Sequence, residues 1–254
     1  MMKTARDTWL LFERSMMLTL KNPIWVFIGL MQPVIYLALF APLLDPIVAT
    51  PGFPRGGAFN VFLPGLIIQL SLFGGAFVGF GLIAEMRAGV IERLRVTPAS
   101  RLAMLLGRAL RDVVILLVQA VILIALAIPF GLSIGLGAAL IALLVLALVG
   151  LVMAPLSYTV ALWLKSEDAL APFLNAVALP LLLLSGILLP MTLAPRWLQW
   201  LAAINPLSHA VSALRAVFNG DYGDPEVYLG VGLMAVLALI ALIVAGRAFG
   251  RSQA

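Results

Sequence analysis

EMRAGVIERLRVTPASR, residues 85–101, is a polar island between two long uncharged stretches. Six of its seventeen residues are Glu or Arg, whereas residues 56–84 and 113–164 contain no Asp, Glu, Lys or Arg. An arginine-rich segment between runs that apolar must face water, and the runs on either side set what the rest of the chain can be. The second run is 52 residues long, too long for one membrane crossing of about 20 residues and right for two joined by a turn.

Bulk composition points the same way. The 254 residues are 63% hydrophobic and only 11% charged, where a soluble domain carries about a quarter charged residues. Mean hydropathy is +1.15. A buried core does not account for so few charges, so the solvent is lipid. The net charge of +5 is not a nucleic-acid signature, because the basic residues flank apolar runs, where they orient a membrane protein. Cysteine is absent, which removes disulfides, thiolate metal sites and thiol chemistry.

Outward from the island, the pattern predicts six spans, at about 24–44, 59–83, 103–129, 138–163, 169–189 and 227–246. Residues 1–21 place Trp9, Phe12, Met16 and Leu20 at helical spacing with basic residues mostly off that stripe, as in a helix lying in the membrane interface. The first apolar run, residues 22–44, has 23 uncharged residues. That exceeds the roughly 7–15 of a signal-peptide core, so a retained span is expected. Residues 45–57 (DPIVATPGFPRGG) read as a loop. Gly75 and Gly79 form a small-xxx-small pair that lets another helix approach. Residues 129–135 supply the turn in the long run, and 165–168 a short polar loop.

The region 195–218 is expected to be a re-entrant pair of short helices before the last span. Trp197 and Trp200 sit at headgroup depth in the first, and Asn205 caps the second with Pro206 at its first position. Six spans put both termini on one side. With the termini and the island in the cytoplasm, thirteen Lys and Arg lie inside and three, Arg55, Arg196 and Arg215, outside, a strong positive-inside bias. The fold class is an all-α integral membrane protein forming a single domain over residues 1–254.

Little here can do chemistry. His209 is the only histidine, and one histidine without cysteine or an acid cluster builds neither a zinc site nor a catalytic centre. It is read as structural or interfacial. The phosphate-loop pattern G-x-x-x-x-G-K-[ST] is missing: of three lysines only Lys165 precedes a Ser, and its glycine positions hold Thr159 and Leu164. The spans are uncharged through their centres, against what ion-driven transport needs. Asp112, near one end of the third span, is flanked by Arg108 and Arg111, which favour a local ion pair. If the chain moves something uphill, the energy arrives from a partner.

Within the island, Ile83, Met86, Val90 and Leu94 recur at helical spacing with Glu85, Glu92 and Arg93 largely opposite. The pattern predicts a short surface helix over about 85–97, loosened at Gly89 and ended at Thr97-Pro98. A solvated loop that only enforces topology, in a passive membrane channel or scaffold, accounts for the same composition.

The island resembles the cytoplasmic loop of ABC-2 type transporter permeases of the drug-resistance and polysaccharide-export kind. Their pattern E-x-x-x-G-x-x-E-x-L-x-x-T-P-x-S-R is matched at Glu85, Gly89, Glu92, Leu94, Thr97, Pro98, Ser100 and Arg101. A second match is LSGILLP at 184–190, followed by WLQWL at 197–201 and INPLSHAVSALR at 204–215. The resemblance implies that this helix is a coupling helix, with Glu85, Arg87, Gly89, Ile91, Glu92, Arg93 and Leu94 contacting a separate ATPase subunit. It implies two ATPases and two permease chains in a homodimer, with ATP and Mg on the ATPase and no cofactor on this chain. It further implies export of an amphipathic or hydrophobic cargo across a bacterial cytoplasmic (inner) membrane, with membrane lipid rather than nucleic acid as the surroundings. It implies too that the helix pair, with Trp197, Trp200, Asn205, Pro206, His209 and Arg215, shapes an extracellular gate, and it implies no substrate-contacting residue.

Overall fold

The computed structural model describes residues 2–44, 58–95, 100–188 and 190–251. Its eleven α-helices are α1 (Met2–Lys21), α2 (Ile24–Leu44), α3 (Ala58–Ala76), α4 (Val78–Arg87), α5 (Val90–Arg95), α6 (Arg101–Ala127), α7 (Leu136–Leu164), α8 (Glu167–Leu184), α9 (Arg196–Ile204), α10 (Pro206–Phe218) and α11 (Pro225–Arg251). No strand occurs among the described residues. Five segments are long and apolar enough to cross a membrane, and up to seven if each of two bent pairs counts as one span. The protein is an all-α integral membrane protein. The predicted first span coincides with α2, whose 21 residues extend about 31 Å. It follows α1 at a bend of 69°, because Asn22-Pro23 interrupts the helix between them.

The bundle is built around α7, which packs against α3, α4, α6, α8, α10 and α11. Its composition suits that place: small and apolar side chains on every face let neighbours close in from all sides. α3 is nearly as enclosed, with residues 61–72 all buried. Close approaches are made at glycines. A Cβ at Gly75 would lie 2.7 Å from Met153 Cβ, and one at Gly79 would lie 2.7 Å from Ser157 Oγ. The predicted small-residue pair therefore serves packing on α7 of the same chain. Gly107 does the same for α1 on α6, where a Cβ would meet Leu11 Cβ at 2.9 Å and Phe12 N at 3.0 Å. The N-terminal helix is thus fastened to the bundle through that face.

Several boundaries differ from the sequence expectation. The second span is two helices, α3 and α4, interrupted at Phe77. The third begins at Arg101 because the Ser100 side chain accepts a hydrogen bond from the Ala103 N–H, the ordinary N-cap geometry. The fifth stops at Leu184, where Ser185 and Gly186, with φ +73°, turn the chain back. The predicted loop at 45–57 and Leu189 at the fifth span's expected end lie outside the described residues.

That turn lies against α3 at Gly65, where a Cβ would fall 2.4 Å from the Ile187 carbonyl oxygen. The obstacle is backbone, so it cannot swing aside. Gly65→Ala is expected to destabilise the protein by about 1–3 kcal/mol, seen as a lower midpoint in a detergent thermal melt. An unchanged midpoint would remove this contact from the account.

Candidate functional site

One end of the bundle collects the tip of α4, α5, the start of α6, the junction of α7 with α8 and the last turn of α11. Three polar contacts tie these elements together. Glu85 Oε2 of α4 receives Arg108 Nη2 of α6 at 2.5 Å. Arg87 Nη1 meets Glu167 Oε1 of α8 at 3.1 Å. Arg101 Nη1 donates to the Gly250 carbonyl of α11 at 2.7 Å. Arg87, Arg93, Arg101, Arg108, Arg111 and Lys165 all belong to these elements, and we refer to this as the basic end.

The predicted surface helix over 85–97 is corrected here. Glu85 and Arg87 complete α4, which is closed by the N–H groups of Ala88 and Gly89 bonding to the carbonyls of Ala84 and Met86. Gly89 sits at φ +67°, a backbone conformation that glycine adopts at no steric cost and that ends α4 in an αL-type stop. A separate helix, α5, follows from Val90. Ile83 and Met86, half of the expected apolar stripe, therefore sit on the preceding span.

The candidate contact residues divide accordingly. Arg87 and Arg93 are exposed, and Glu85 and Gly89 are half-buried. Ile91 is 4% exposed and packs in an apolar cluster with Leu82, Ile83, Leu105 and Tyr158, so it anchors α5 and is unavailable to a partner. The side chains of Glu92 and Leu94, together with Thr97 and Pro98, lie outside the described residues. Beside α5 a cleft of about 240 Å³ opens between α1, α4 and α6, with Leu11, Leu18, Val90 and Met104 as its apolar walls and Arg14 and Glu85 on its polar side.

Deeper at the same end lies a polar cluster. Asp112, 4% exposed, accepts from Arg111 Nε at 2.9 Å and Nη2 at 2.5 Å. It also accepts from the Tyr158 hydroxyl of α7. The expected local ion pair is formed by Arg111, whereas Arg108 turns to Glu85 instead. Tyr158 packs edge-on against Phe249 of α11. Sequence reasoning missed Tyr158 and Glu167, and it named Glu85 as a partner contact without its pairing to Arg108. The available signal was a tyrosine about two helical turns before Lys165 and an acid just after it, at the basic edge of the uncharged run.

The opposite end holds the predicted helix pair. α9 and α10 meet at a bend of 98°. Asn205 caps α10 by accepting from the Leu207 N–H, with Pro206 in its first turn, and donates to the Leu181 carbonyl at 2.8 Å. Trp197 and Trp200 are 65% and 78% exposed on one side of α9. His209 bridges three elements, Nδ1 lying 3.1 Å from Glu226 Oε2 of α11 and Nε2 3.0 Å from the Ala203 carbonyl of α9. Arg215 donates from Nε to the Val61 carbonyl at 2.9 Å and from Nη2 to the Gly186 carbonyl at 2.6 Å. Among the described residues no group of three or more Asp, Glu or His is placed to hold a metal ion.

A family model described as ABC-2 type transporter matches residues 6–219. A protein named as a transport permease in Pyropia yezoensis is 28% identical over 243 residues, covering 92% of this chain and 82% of the relative. A daunorubicin resistance ABC transporter permease protein of Streptomyces coeruleorubidus is 27% identical over 247 residues, 90% of this chain and 82% of its own length. A protein of Mycobacterium tuberculosis named for doxorubicin resistance, also as an ABC transporter permease, is 25% identical over 191 residues, 74% of this chain and 67% of its own.

Proposed function

This chain belongs to the ABC-2 type transporter family, and from that premise we propose that it is the membrane subunit of an ATP-driven exporter that receives work from a separate ATPase at α5. The observation that carries the reading is the build of the basic end. A short helix is set off from its span by the Gly89 turn, anchored inward by Ile91, and presents Arg93 outward. Two ion pairs, Glu85–Arg108 and Arg87–Glu167, join the preceding helix tip to α6 and α8, so a push on α5 has a path into three spans.

In this reading two copies of the chain and two ATPases form the working complex, and ATP and Mg are held by the ATPases. The basic end and both termini face the cytoplasm of a bacterial cell, in accord with the positive-inside pattern. The α9–α10 pair, with Trp197, Trp200, Asn205, Pro206, His209 and Arg215, shapes the outer gate. The cargo is amphipathic or apolar, which suits spans without central charges. Two relatives carry the names of daunorubicin and doxorubicin resistance, which supports a drug-like cargo of that kind.

Co-purification tests it. Arg93→Glu reverses an exposed charge at the docking helix, and like charges set against each other at an interface cost enough to weaken association roughly 30-fold or more. The expected result is loss of ATPase co-purification and of cargo-stimulated hydrolysis, with the permease still monodisperse. Undiminished association and transport would overturn the docking role of α5 and favour a passive channel or scaffold.

A further inference from the structure

We infer that Ser157 pins a hinge in the α3–α4 span and thereby sets where α5 stands. This rests on α5 being the docking helix for its functional consequence, though not for its structural content. The span is interrupted once, at Phe77. In an uninterrupted helix the Gly79 N–H would bond the Gly75 carbonyl, and the Ala76 carbonyl would receive the Phe80 N–H. Neither arrangement is present. The Phe80 N–H goes to the Phe77 carbonyl at 3.2 Å, a tighter three-residue closure, and the Gly79 N–H goes to Ser157 Oγ at 3.0 Å. The Ser157 hydroxyl in turn donates to the Ala76 carbonyl. One side-chain hydroxyl from α7 thus accepts from one of the freed backbone groups and donates to another.

Depth makes this more than a convenience. Ser157 is 3% exposed, and no water within the hydrocarbon is on hand to satisfy a free N–H or carbonyl. Without the hydroxyl the backbone at 76–79 must either leave two groups unpaired or re-close as a continuous helix. Re-closure rotates and shifts everything after Phe77. The glycine at 79 is what lets the hydroxyl reach: a Cβ there would lie 2.7 Å from Ser157 Oγ and 2.9 Å from the Ser157 carbonyl oxygen.

Two further observations place a hinge at this depth. The facing helix is itself weakened here, because Pro155, inside α7, has no N–H to give the carbonyl four residues earlier. The Pro155 carbonyl is engaged by the Thr159 hydroxyl at 2.9 Å. The span is also held differently on its two sides. Above the break, residues 61–72 are buried throughout, and the Ser71 hydroxyl is tied to the Leu146 carbonyl at 3.0 Å. Below it, α4 exposes Gly81, Ala84 and Arg87, buries only one side with Leu82 and Ile83, and is tied to α6 and α8 by the ion pairs of its last turn. A fully buried rod, a pinned break and a half-exposed arm that leads into α5 are the parts of a lever.

The chain has no cysteine, so spin labels can be placed without background. Labels at Arg93→Cys on α5 and Leu140→Cys near the far end of α7 report the arm's position by pulsed dipolar spectroscopy on the permease alone in nanodiscs. Ser157→Ala is expected to shift and broaden that distance distribution. Ser71→Ala, which removes an equally buried hydroxyl from the fixed part, is expected to leave it unchanged. In the complex with the ATPase, Ser157→Ala should also lower cargo moved per ATP hydrolysed about fivefold or more, with ATPase binding retained. A wild-type distribution in Ser157→Ala, or an equal shift in Ser71→Ala, overturns the hinge. Because the distances need no ATPase, they stand or fall separately from the docking reading. If Ser157→Ala does not fold, amide exchange in the unmutated protein decides: faster exchange at 77–80 than at 61–72 supports the hinge, and even protection across both overturns it.

Discussion

Asp112→Ala is expected to destabilise the protein by about 3–5 kcal/mol, the cost of removing one partner from a buried ion pair. Asp112 is 4% exposed and is the acceptor for both Arg111 and the Tyr158 hydroxyl. Alanine leaves a guanidinium that is only 20% exposed without its counter-ion and a phenol hydroxyl without its acceptor. Both groups must then find water or move. The loss should appear as a lower unfolding midpoint in detergent and as weaker retention of a monodisperse peak on heating. A variant that removes all the polar groups together, Arg111→Leu with Asp112→Leu and Tyr158→Phe, is expected to cost less than Asp112→Ala alone, since nothing charged is then stranded. A triple variant at least as unstable as the single one would show that the cluster stabilises by its own attraction rather than by mutual satisfaction.

The contrast between Asp112 and Ser157 explains which parts of this protein could be read from its residues. Asp112 announces itself, as an acid at the edge of a 52-residue run without charge and beside two arginines. Even so, which arginine it pairs with depended on helix rotation: Arg111 faces it, while Arg108 reaches Glu85 on another helix. Ser157 gives no signal at all, because a serine in an apolar span is unremarkable until the backbone it meets is known to be broken. Hydrophobic run length locates the long helices, and α2, α6 and α7 fall close to their expected positions. It does not report local breaks. The interruption at Phe77 leaves hydropathy unchanged, and the stop at Gly89 depends on a positive φ that glycine permits without requiring.

The same limit shaped the reading of the island. Ile83, Met86, Val90 and Leu94 share a helical period, and a period cannot show that two residues belong to one helix and two to the next. Ile91, counted by resemblance among the residues facing a partner, proves to be core because the chain turns at Gly89 and α5 rolls that side chain inward. The helix pair at the opposite end was more legible. Asn205-Pro206 is a start signal whose geometry is local, with the asparagine accepting from Leu207 N–H and the proline in the first turn. What no local signal gave was the role of the arginine nine residues after that proline.

Arg215→Ala is expected to cost about 3 kcal/mol, because hydrogen bonds to a charged group contribute about 1.5–3 kcal/mol each and this guanidinium makes two. Its acceptors are the carbonyls of Val61 and Gly186, which belong to the first turns of α3 and to the turn after α8. Neither lies near Arg215 in the chain, so the side chain fastens α10 to two segments that helix packing alone would let slide. The Gly186 carbonyl matters more of the two. It sits in a turn rather than in a helix, with φ +73°, and has no helical ladder to fall back on when the guanidinium goes. The 98° corner between α9 and α10 is therefore expected to loosen along with the turn, and limited proteolysis should cut near it sooner. Arg215→Lys separates charge from geometry. An ammonium keeps the charge but cannot span two carbonyls with a planar fork, so it is expected to recover less than half of the stability lost in Arg215→Ala. Full recovery by lysine would mean that the charge, rather than the two-point clasp, holds this end of the bundle.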